Sequence, residues 1–171
     1  MAEIPAGTDQ LIAWLDDAYA MESGLVRILQ NHATHFGSEM PAAARRLQQH
    51  IVETQQHASR LEQCLRMLNS APSSVKSTLS SVMGSVEGAT TAVFRDQLMK
   101  DALGDYAAEQ FEVACYTALV NTATELGYLE VAQLCKRNLA EDRAMADWLL
   151  QQIPAVASHD AVGAPASRHQ A

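Results

Sequence analysis

The sequence has little of two residue types that irregular and β-rich proteins use freely. It contains only 8 glycines and 5 prolines in 171 residues, and they cluster in a few places. Runs that favour strands are absent, whereas alanine, leucine, glutamine, glutamate and methionine dominate, which favours helix. Apolar residues make up 48% of the chain, which is typical of a globular protein and not of a disordered one. The composition therefore predicts an all-α fold in a single domain.

Positive charge is also scarce. The 12 lysines and arginines face 20 acidic residues, a net charge of −8, and no basic stripe is present. Nucleic acids and anionic membranes attract proteins through such stripes, so we expect neither as a partner. We find no signal peptide, and no apolar run approaches the length of a membrane span, about 18 residues. We therefore expect a soluble, cytoplasmic protein. The three cysteines have no CxxC spacing and are expected to be reduced thiols.

Apolar residues recur at the helical period of 3.6 residues in four segments, near residues 8–35, 41–69, 95–126 and 129–153. Thr8 or Asp9 is expected to cap the first helix, and Pro154 to follow the end of the last one. The Ser- and Gly-rich stretch from 70 to 96 is predicted to be a long crossover with a short helix at 75–87. It would let helices two and three run parallel, as in ferritin-like bundles. We therefore predict a bundle over residues 7–153 and a disordered tail over 154–171.

Each predicted helix carries carboxylates at or beside the stripe that should face the core. They are Glu22, Glu53, the pair Glu109 and Glu112, and Glu141. A buried carboxylate is costly unless something neutralises it, and several at one level repel one another. Cations between them are the simplest explanation, so the pattern predicts a dinuclear metal site.

The strongest local signal is the pair Glu109 and Glu112. Residues three apart point the same way on a helix, so one turn would supply two ligands. Most such pairs belong to a solvated helix face, but Tyr116, Leu119 and Val120 continue this face as apolar residues. The pair is therefore predicted to bind metal.

The remaining candidates are less sharply defined by their positions. Glu22 lies on the stripe of the first helix, where a partly buried acid paired with an arginine is the alternative. Glu53 lies at the flank of its stripe, with His50 three residues before it and His57 four residues after it. Either imidazole would join Glu53 as a ligand, and the sequence leaves the choice open.

The fourth helix leaves a choice between two adjacent acids. Glu141 and Asp142 lie on opposite sides of one stripe, and Glu141 is the preferred ligand, with Asp142 in a supporting position. Tyr19 and Tyr116 are placed to hydrogen-bond a ligand. The other histidines, His32, His35, His159 and His169, are assigned to the surface or the tail. No nucleophile elbow, P-loop or dinucleotide fingerprint is present.

These segments together resemble the YciF/YciE-like group of ferritin-like stress proteins, which is related to rubrerythrin. The matching motifs are Asp17-Ala-Tyr-Ala-Met-Glu22, His50-Ile-Val-Glu-Thr54, Glu109-Gln-Phe-Glu112 and Leu139-Ala-Glu-Asp142. The resemblance spans about residues 9 to 152. It implies a ferritin-like four-helix bundle, a homodimer, and five metal ligands, namely Glu22, Glu53, Glu109, Glu112 and Glu141.

The sequence departs from this pattern at three positions. Rubrerythrins have histidine three residues after glutamate on helices two and four, where this chain has Gln56 and Ala144. The YciF-like group has histidine between the paired glutamates, where this chain has Gln110. The imidazole ligand therefore stays open between His50 and His57. Rubredoxin-like cysteines are missing too, so no built-in electron donor is evident.

The predicted function is that of a dinuclear carboxylate protein that reacts with dioxygen or peroxide in a stress response. Iron is the expected metal, with manganese or zinc as alternatives, and the activity would be oxidase- or peroxidase-like. The alternative is a non-enzymatic scaffold dimer with a vestigial or structural metal site. Iron storage would require a large closed cage.

Overall fold

The computed structural model describes residues 5–73 and 96–163, and four long helices account for nearly all of them. They are α1 (Thr8–Glu39), α2 (Pro41–Met67), α3 (Gln97–Glu125) and α4 (Leu129–Gly163). The predicted short helix at 75–87 lies outside the described residues. Within the described ranges, no helix is both long enough and apolar enough to cross a membrane.

Local sequence explains most of the helix ends. Asn69 adopts a left-handed conformation after α2, and the Ser70 N–H bonds to the Leu65 carbonyl, as expected for a helix that stops there. Gly127, at φ 82°, ends α3 in the same way. At the start of α1 the cap is Gly7, so the prediction of Thr8 or Asp9 as cap is wrong. Thr8 instead donates its hydroxyl to the Pro5 carbonyl.

Two helices extend beyond their predicted ends, which lie near His35 for α1 and before Pro154 for α4. α1 continues to Glu39 because Phe36, only 3% exposed, still packs in the core. α4 passes through Pro154, although proline removes one helical hydrogen bond. Burial of Val156, at 0% exposure, offsets that loss. The predicted end of the fourth helix at residue 153 is therefore wrong, because the helix continues to Gly163. The rest of the predicted tail lies outside the described residues.

Two apolar clusters show how the helices run. One cluster contains Leu11 from the start of α1 and Leu65 from the end of α2, and the other contains Phe36 and Ala43 from the opposite ends. α3 leads from the second cluster at Leu98 to the first at Ala123, and α4 runs back. Hence α2 and α3 are parallel, and the crossover spans the length of the bundle, as predicted for a ferritin-like topology.

The helices pack as two close antiparallel pairs, α1 with α2 and α3 with α4. Lighter contacts between α1 and α3, and between α2 and α4, close the bundle. The two apolar clusters occupy its two ends. Between them lies a layer of polar side chains, and that layer contains the candidate site.

Candidate metal centre

The polar layer at mid-bundle draws at least one acid or imidazole from every helix. Its side chains are all 2% exposed or less: Glu22, His50, Thr54, His57, Asp105, Glu109, Glu112, Asn138 and Asp142. Such residues are rarely buried without a partner. The sequence places them there because each lies on the buried stripe of its helix, in line with apolar residues of the core.

One group joins α1, α2 and α4. His57 Nδ1 lies 3.3 Å from Glu22 Oε1 and 3.3 Å from Asp142 Oδ1. One ligand atom from each of these three side chains falls within 4.8 Å of the others. The spacing suits a single metal ion held by one nitrogen and two oxygens.

A second group joins α2, α3 and α4. His50 Nε2 lies 2.7 Å from Glu109 Oε1, and Asp142 supplies the third ligand atom within 4.8 Å. The rings of His50 and His57 are 6.2 Å apart between centroids. Asp142 belongs to both groups, so it would be a ligand that two ions share. The buried Glu112 lies close enough to Glu22, Glu109 and Asp142 to repel them electrostatically.

Many polar atoms of this layer make no hydrogen bond among the described residues. They are Glu22 Oε2, His57 Nδ1, Asp105 Oδ2, Glu109 Oε2, Glu112 Oε1 and both carboxylate oxygens of Asp142. An unsatisfied buried polar group costs about 1–3 kcal/mol, and more when charged. Oxygen atoms from several helices that lack protein partners, with imidazole nitrogens beside them, form the donor set that iron and manganese prefer. The residues present therefore fit a dinuclear metal centre.

Without metal the layer has to retain protons. Burial, together with Glu22, Glu109 and Asp142, raises the pKa of Glu112 well above its ordinary value. Burial and the charges of Glu22 and Glu109 raise the pKa of Asp142 to about 10. Burial alone would lower the pKa of His50, but its hydrogen bonds to Glu109 and Glu53 outweigh burial and raise that pKa to about 10. Metal ions would replace these protons.

Each imidazole is held from outside by a carboxylate that is itself paired with an arginine. His50 Nδ1 lies 2.8 Å from Glu53 Oε2, which accepts a hydrogen bond from Arg46 at 3.1 Å. His57 Nε2 lies 2.7 Å from Glu141 Oε2, which accepts one from Arg60 at 2.7 Å. We call these the two Arg–Glu–His chains.

The two Arg–Glu–His chains fix which nitrogen faces the centre. The hydrogen bond to His50, with Arg46 nearby, lowers the pKa of Glu53. Burial raises the pKa of Glu141, but the hydrogen bonds from Arg60 and His57 outweigh burial, so the pKa of Glu141 is lowered overall. Both glutamates are therefore ionised acceptors, so His50 Nδ1 and His57 Nε2 carry the donated hydrogens. The opposite nitrogens, His50 Nε2 and His57 Nδ1, face the layer.

The structure thus brings together five of the predicted ligands, Glu22, His50, His57, Glu109 and Glu112. It places Glu53 and Glu141 on the outer side of the imidazoles, at 32% and 33% exposure. Asp142, predicted to support the ligands, lies in both candidate groups instead of Glu141. That these residues bind metal stays a prediction.

The two predicted tyrosines differ in position. Tyr116 is fully buried, donates its hydroxyl to Glu22 Oε1, and accepts a hydrogen bond from Asn138 at 2.9 Å. Arg60 in turn donates to Asn138 at 2.8 Å. Tyr19 is half-buried and packs at the edge of the apolar cluster next to the layer.

Sequence reasoning missed a second set of interacting side chains beside the layer. His32 Nδ1 lies 2.6 Å from Asp105 Oδ1, and His35 Nδ1 lies 2.6 Å from Asp101 Oδ2. His32 is 17% exposed, so its assignment to the surface is wrong. The spacing contained a signal. His35 is three positions after His32, and Asp105 is four positions after Asp101, so each pair lies on one face of its helix.

The outer carboxylates should affect metal binding without touching the metal. We expect Glu141→Gln to weaken binding about 10–100-fold, because the neutral amide keeps the size of the side chain but no longer raises the basicity of His57. Titration against a coloured chelator measures this. Glu130→Gln, at an exposed position of the same helix, is the matched control. Equal affinity of the two variants would contradict a supporting role for Glu141.

Comparison with known proteins places this geometry in context. Residues 7–162 match the family model described as a domain of unknown function, DUF892. A protein of known structure from Xanthomonas campestris is 35% identical, with 89% of this chain and 94% of that chain covered and a TM-score of 0.76.

Two further solved structures share the fold at lower identity. The E. coli stress protein YciF is 23% identical, with 92% and 99% of the two chains covered and a TM-score of 0.74. A Desulfovibrio desulfuricans bacterioferritin, whose structure is described as showing its diiron site in different catalytic states, is 16% identical. There the coverage is 100% and 97%, with a TM-score of 0.73. At these identities the likeness concerns the fold alone.

Proposed function

The chain belongs to the DUF892 family, and on that premise we propose that it is a dinuclear iron or manganese protein that reacts with dioxygen or peroxide. The observation that carries the proposal is the buried layer of carboxylate oxygens without hydrogen-bond partners, with two imidazole nitrogens facing it. The diiron site named for the bacterioferritin of the same fold supports it. The name of YciF supports a role in a stress response.

The proposed ligands are the side chains that meet in the layer: Glu22, His50, His57, Glu109, Glu112 and Asp142. This set replaces Glu53 and Glu141 of the predicted list by Asp142. Five of the six fall into two groups that share Asp142, with Glu112 beside them, so the set would suit two ions. The prevalence of oxygen donors favours iron or manganese over zinc, which more often has sulfur or several imidazoles.

The chain supports this chemistry in three ways. When bound, the two metal ions would supply the electrons that dioxygen or peroxide takes up. The two Arg–Glu–His chains orient the imidazoles. The apolar clusters at both ends of the bundle keep bulk water away from the layer, which strengthens every electrostatic interaction inside it.

Tyr116 is the group best placed to hold a proton for the reaction. Its hydroxyl bonds to Glu22 on one side and to Asn138 on the other, and its ring lies edge-on to His57 at 6.3 Å between centroids. Burial and the charges of Glu22 and Asp142 raise the pKa of Tyr116 well above its ordinary value. The phenol therefore stays protonated and can donate. The homodimer expected from the family resemblance is part of the same proposal.

Metal loading tests the proposal directly. We expect the purified protein to bind about two ferrous ions per chain, because the layer offers two ligand groups. Exposure to air should then produce near-ultraviolet absorbance from ferric iron. Elemental analysis and absorbance spectra measure both outcomes. An unchanged spectrum, together with normal folding in excess chelator, would overturn the proposal and favour the scaffold dimer.

A further inference from the structure

The centre is sealed, so any ion that reaches it needs a path. Its candidate ligands are 2% exposed or less. Apart from the link through Tyr116 and Asn138, which also ends at Arg60, three chains of hydrogen-bonded polar side chains lead from this layer towards the surface among the described residues. Two of them are the Arg–Glu–His chains. The third contains Asp105, His32, Asp101 and His35, and we call it the His–Asp chain.

The three chains differ in the charge that they present to an approaching cation. Each Arg–Glu–His chain ends in an arginine, Arg46 or Arg60, whose fixed positive charge repels cations and occupies the glutamate. In the described part of the protein, no lysine or arginine forms an ion pair with Asp101, Asp105 or His35. These side chains contact imidazoles and one amide, that of Gln97. Imidazole can give up its proton to a metal ion, whereas guanidinium cannot.

The aspartates of the His–Asp chain continue the acids of the centre along one helix face. Asp101, Asp105, Glu109 and Glu112 follow one another on α3 in steps of four, four and three residues, and all are 3% exposed or less. The rise from Asp101 to Glu109 is about 12 Å. The aspartates are buried and the imidazoles reach further out, since the His32 side chain is 17% exposed and that of His35, at the outer end, is 43% exposed.

One atom in this chain is available to a ligand. Asp105 Oδ2 is buried and has no hydrogen-bond partner, although Asp105 Oδ1 is engaged by His32. Asp105 acts electrostatically on both Glu109 and His50, so it lies next to the centre. A buried carboxylate oxygen without a partner, at the inner end of a chain that reaches solvent, is suited to pass a cation inwards.

We propose that His35, Asp101, His32 and Asp105 form the route by which divalent metal ions reach the buried centre. The four side chains would hold the ion in turn, with imidazole protons displaced to solvent, and none of them would be a permanent ligand. This inference rests on the proposed metal-binding function. It predicts that changes in the route alter the rates of metal uptake and release and leave the dissociation constant unchanged, since a path lowers the barrier equally in both directions.

Stopped-flow mixing with cobalt(II), whose visible absorbance reports its arrival, tests the route. We expect Asp101→Asn, and separately the surface change His35→Gln, to slow cobalt uptake on the order of tenfold, because each change removes a side chain that would hold the ion on its way. Release into excess EDTA should slow by the same factor. The number of bound ions and the dissociation constant should stay those of the unaltered protein.

Asp147→Asn is the matched control, because it removes one negative charge from an exposed position of α4 outside the route. Uptake by both route variants at the rate of this control would overturn the route while leaving the metal centre intact. Loss of a bound ion in Asp101→Asn would also overturn it, because Asp101 would then be a ligand. Failure of the unaltered protein to bind cobalt would instead refute the metal centre itself.

Discussion

Glu112→Gln should leave the protein with at most one metal ion per chain and yet make the metal-free protein more stable. Glu112 Oε1 is buried without a hydrogen-bond partner, and burial together with Glu22, Glu109 and Asp142 raises the pKa of Glu112 well above its ordinary value. The metal-free chain therefore has to protonate Glu112 when it folds, whereas the amide of glutamine has the same size and needs no proton. We expect the free energy of unfolding without metal to rise by about 1–3 kcal/mol. Metal affinity should fall on the order of 100-fold or more, since even residues behind the ligands contribute that much.

Two measurements on the same samples separate these effects. Urea unfolding in EDTA gives the stability, and elemental analysis after loading and desalting gives the metal content. Glu125→Gln, at an exposed position of the same helix, controls for the change of charge on α3. If Glu112→Gln retained two ions, or destabilised the metal-free protein more than the control does, the ligand assignment would be wrong.

The metal-free protein should also lose stability as the pH rises from 6.5 towards 10, and the loaded protein should not. The pKa of Asp142 is raised from 3.8 to about 10 and that of His50 from 6.5 to about 10. In this window the folded chain retains protons that the unfolded chain has released. The stability that these protons provide is complete below the unfolded pKa of each group and is lost as the pH rises through its folded pKa.

The expected loss is about 1–3 kcal/mol per pH unit, because each of the two groups contributes at most about 1.4 kcal/mol per pH unit and the two titrate together. Bound metal ions take the place of the protons, so they remove the slope. Urea denaturation at pH 6.5, 7.5 and 8.5, with EDTA and with saturating manganese, gives both curves. Parallel curves would mean that metal binds somewhere other than at these groups.

The fold followed from features that act locally along the chain. Helical periodicity located all four helices, and the length of the crossover indicated that α2 and α3 run parallel, which the two apolar clusters confirm. The family resemblance is confirmed by the match over residues 7–162. The error at Pro154 is different in kind. Local preference stops a helix there, but burial of Val156 against the core continues it, and no local signal reports that burial.

The site depended on a finer distinction than periodicity gives. Glu141 and Asp142 flank the line through Asn138, Met145 and Leu149, and only the packing of α4 against α2 determines which one faces inwards. Similarly, Glu53 lies within hydrogen-bond reach of His50, which the spacing indicated, but on its outer side. Spacing along a helix indicates which residues lie close together. It does not indicate whether a carboxylate faces the centre or lies on the outer side of an imidazole.

The His–Asp chain was missed because its two halves lie 66 or more residues apart in the sequence. Each half taken alone resembles a solvated surface pair. Only the packing of α1 against α3 brings them together. Nothing in the sequence indicated an imidazole opposite Asp105.

The position of Asp142 in both ligand groups has a consequence for how a population of molecules would fill. If metal binds as proposed, the first ion would have to displace the proton from this carboxylate, whereas the second would find it already ionised. Molecules with one ion would therefore be rare, provided that the free energy saved by not removing a proton from Asp142 exceeds the repulsion between the two ions. In a cell short of metal, some copies would be complete and the others empty, and activity would scale with the number of complete copies.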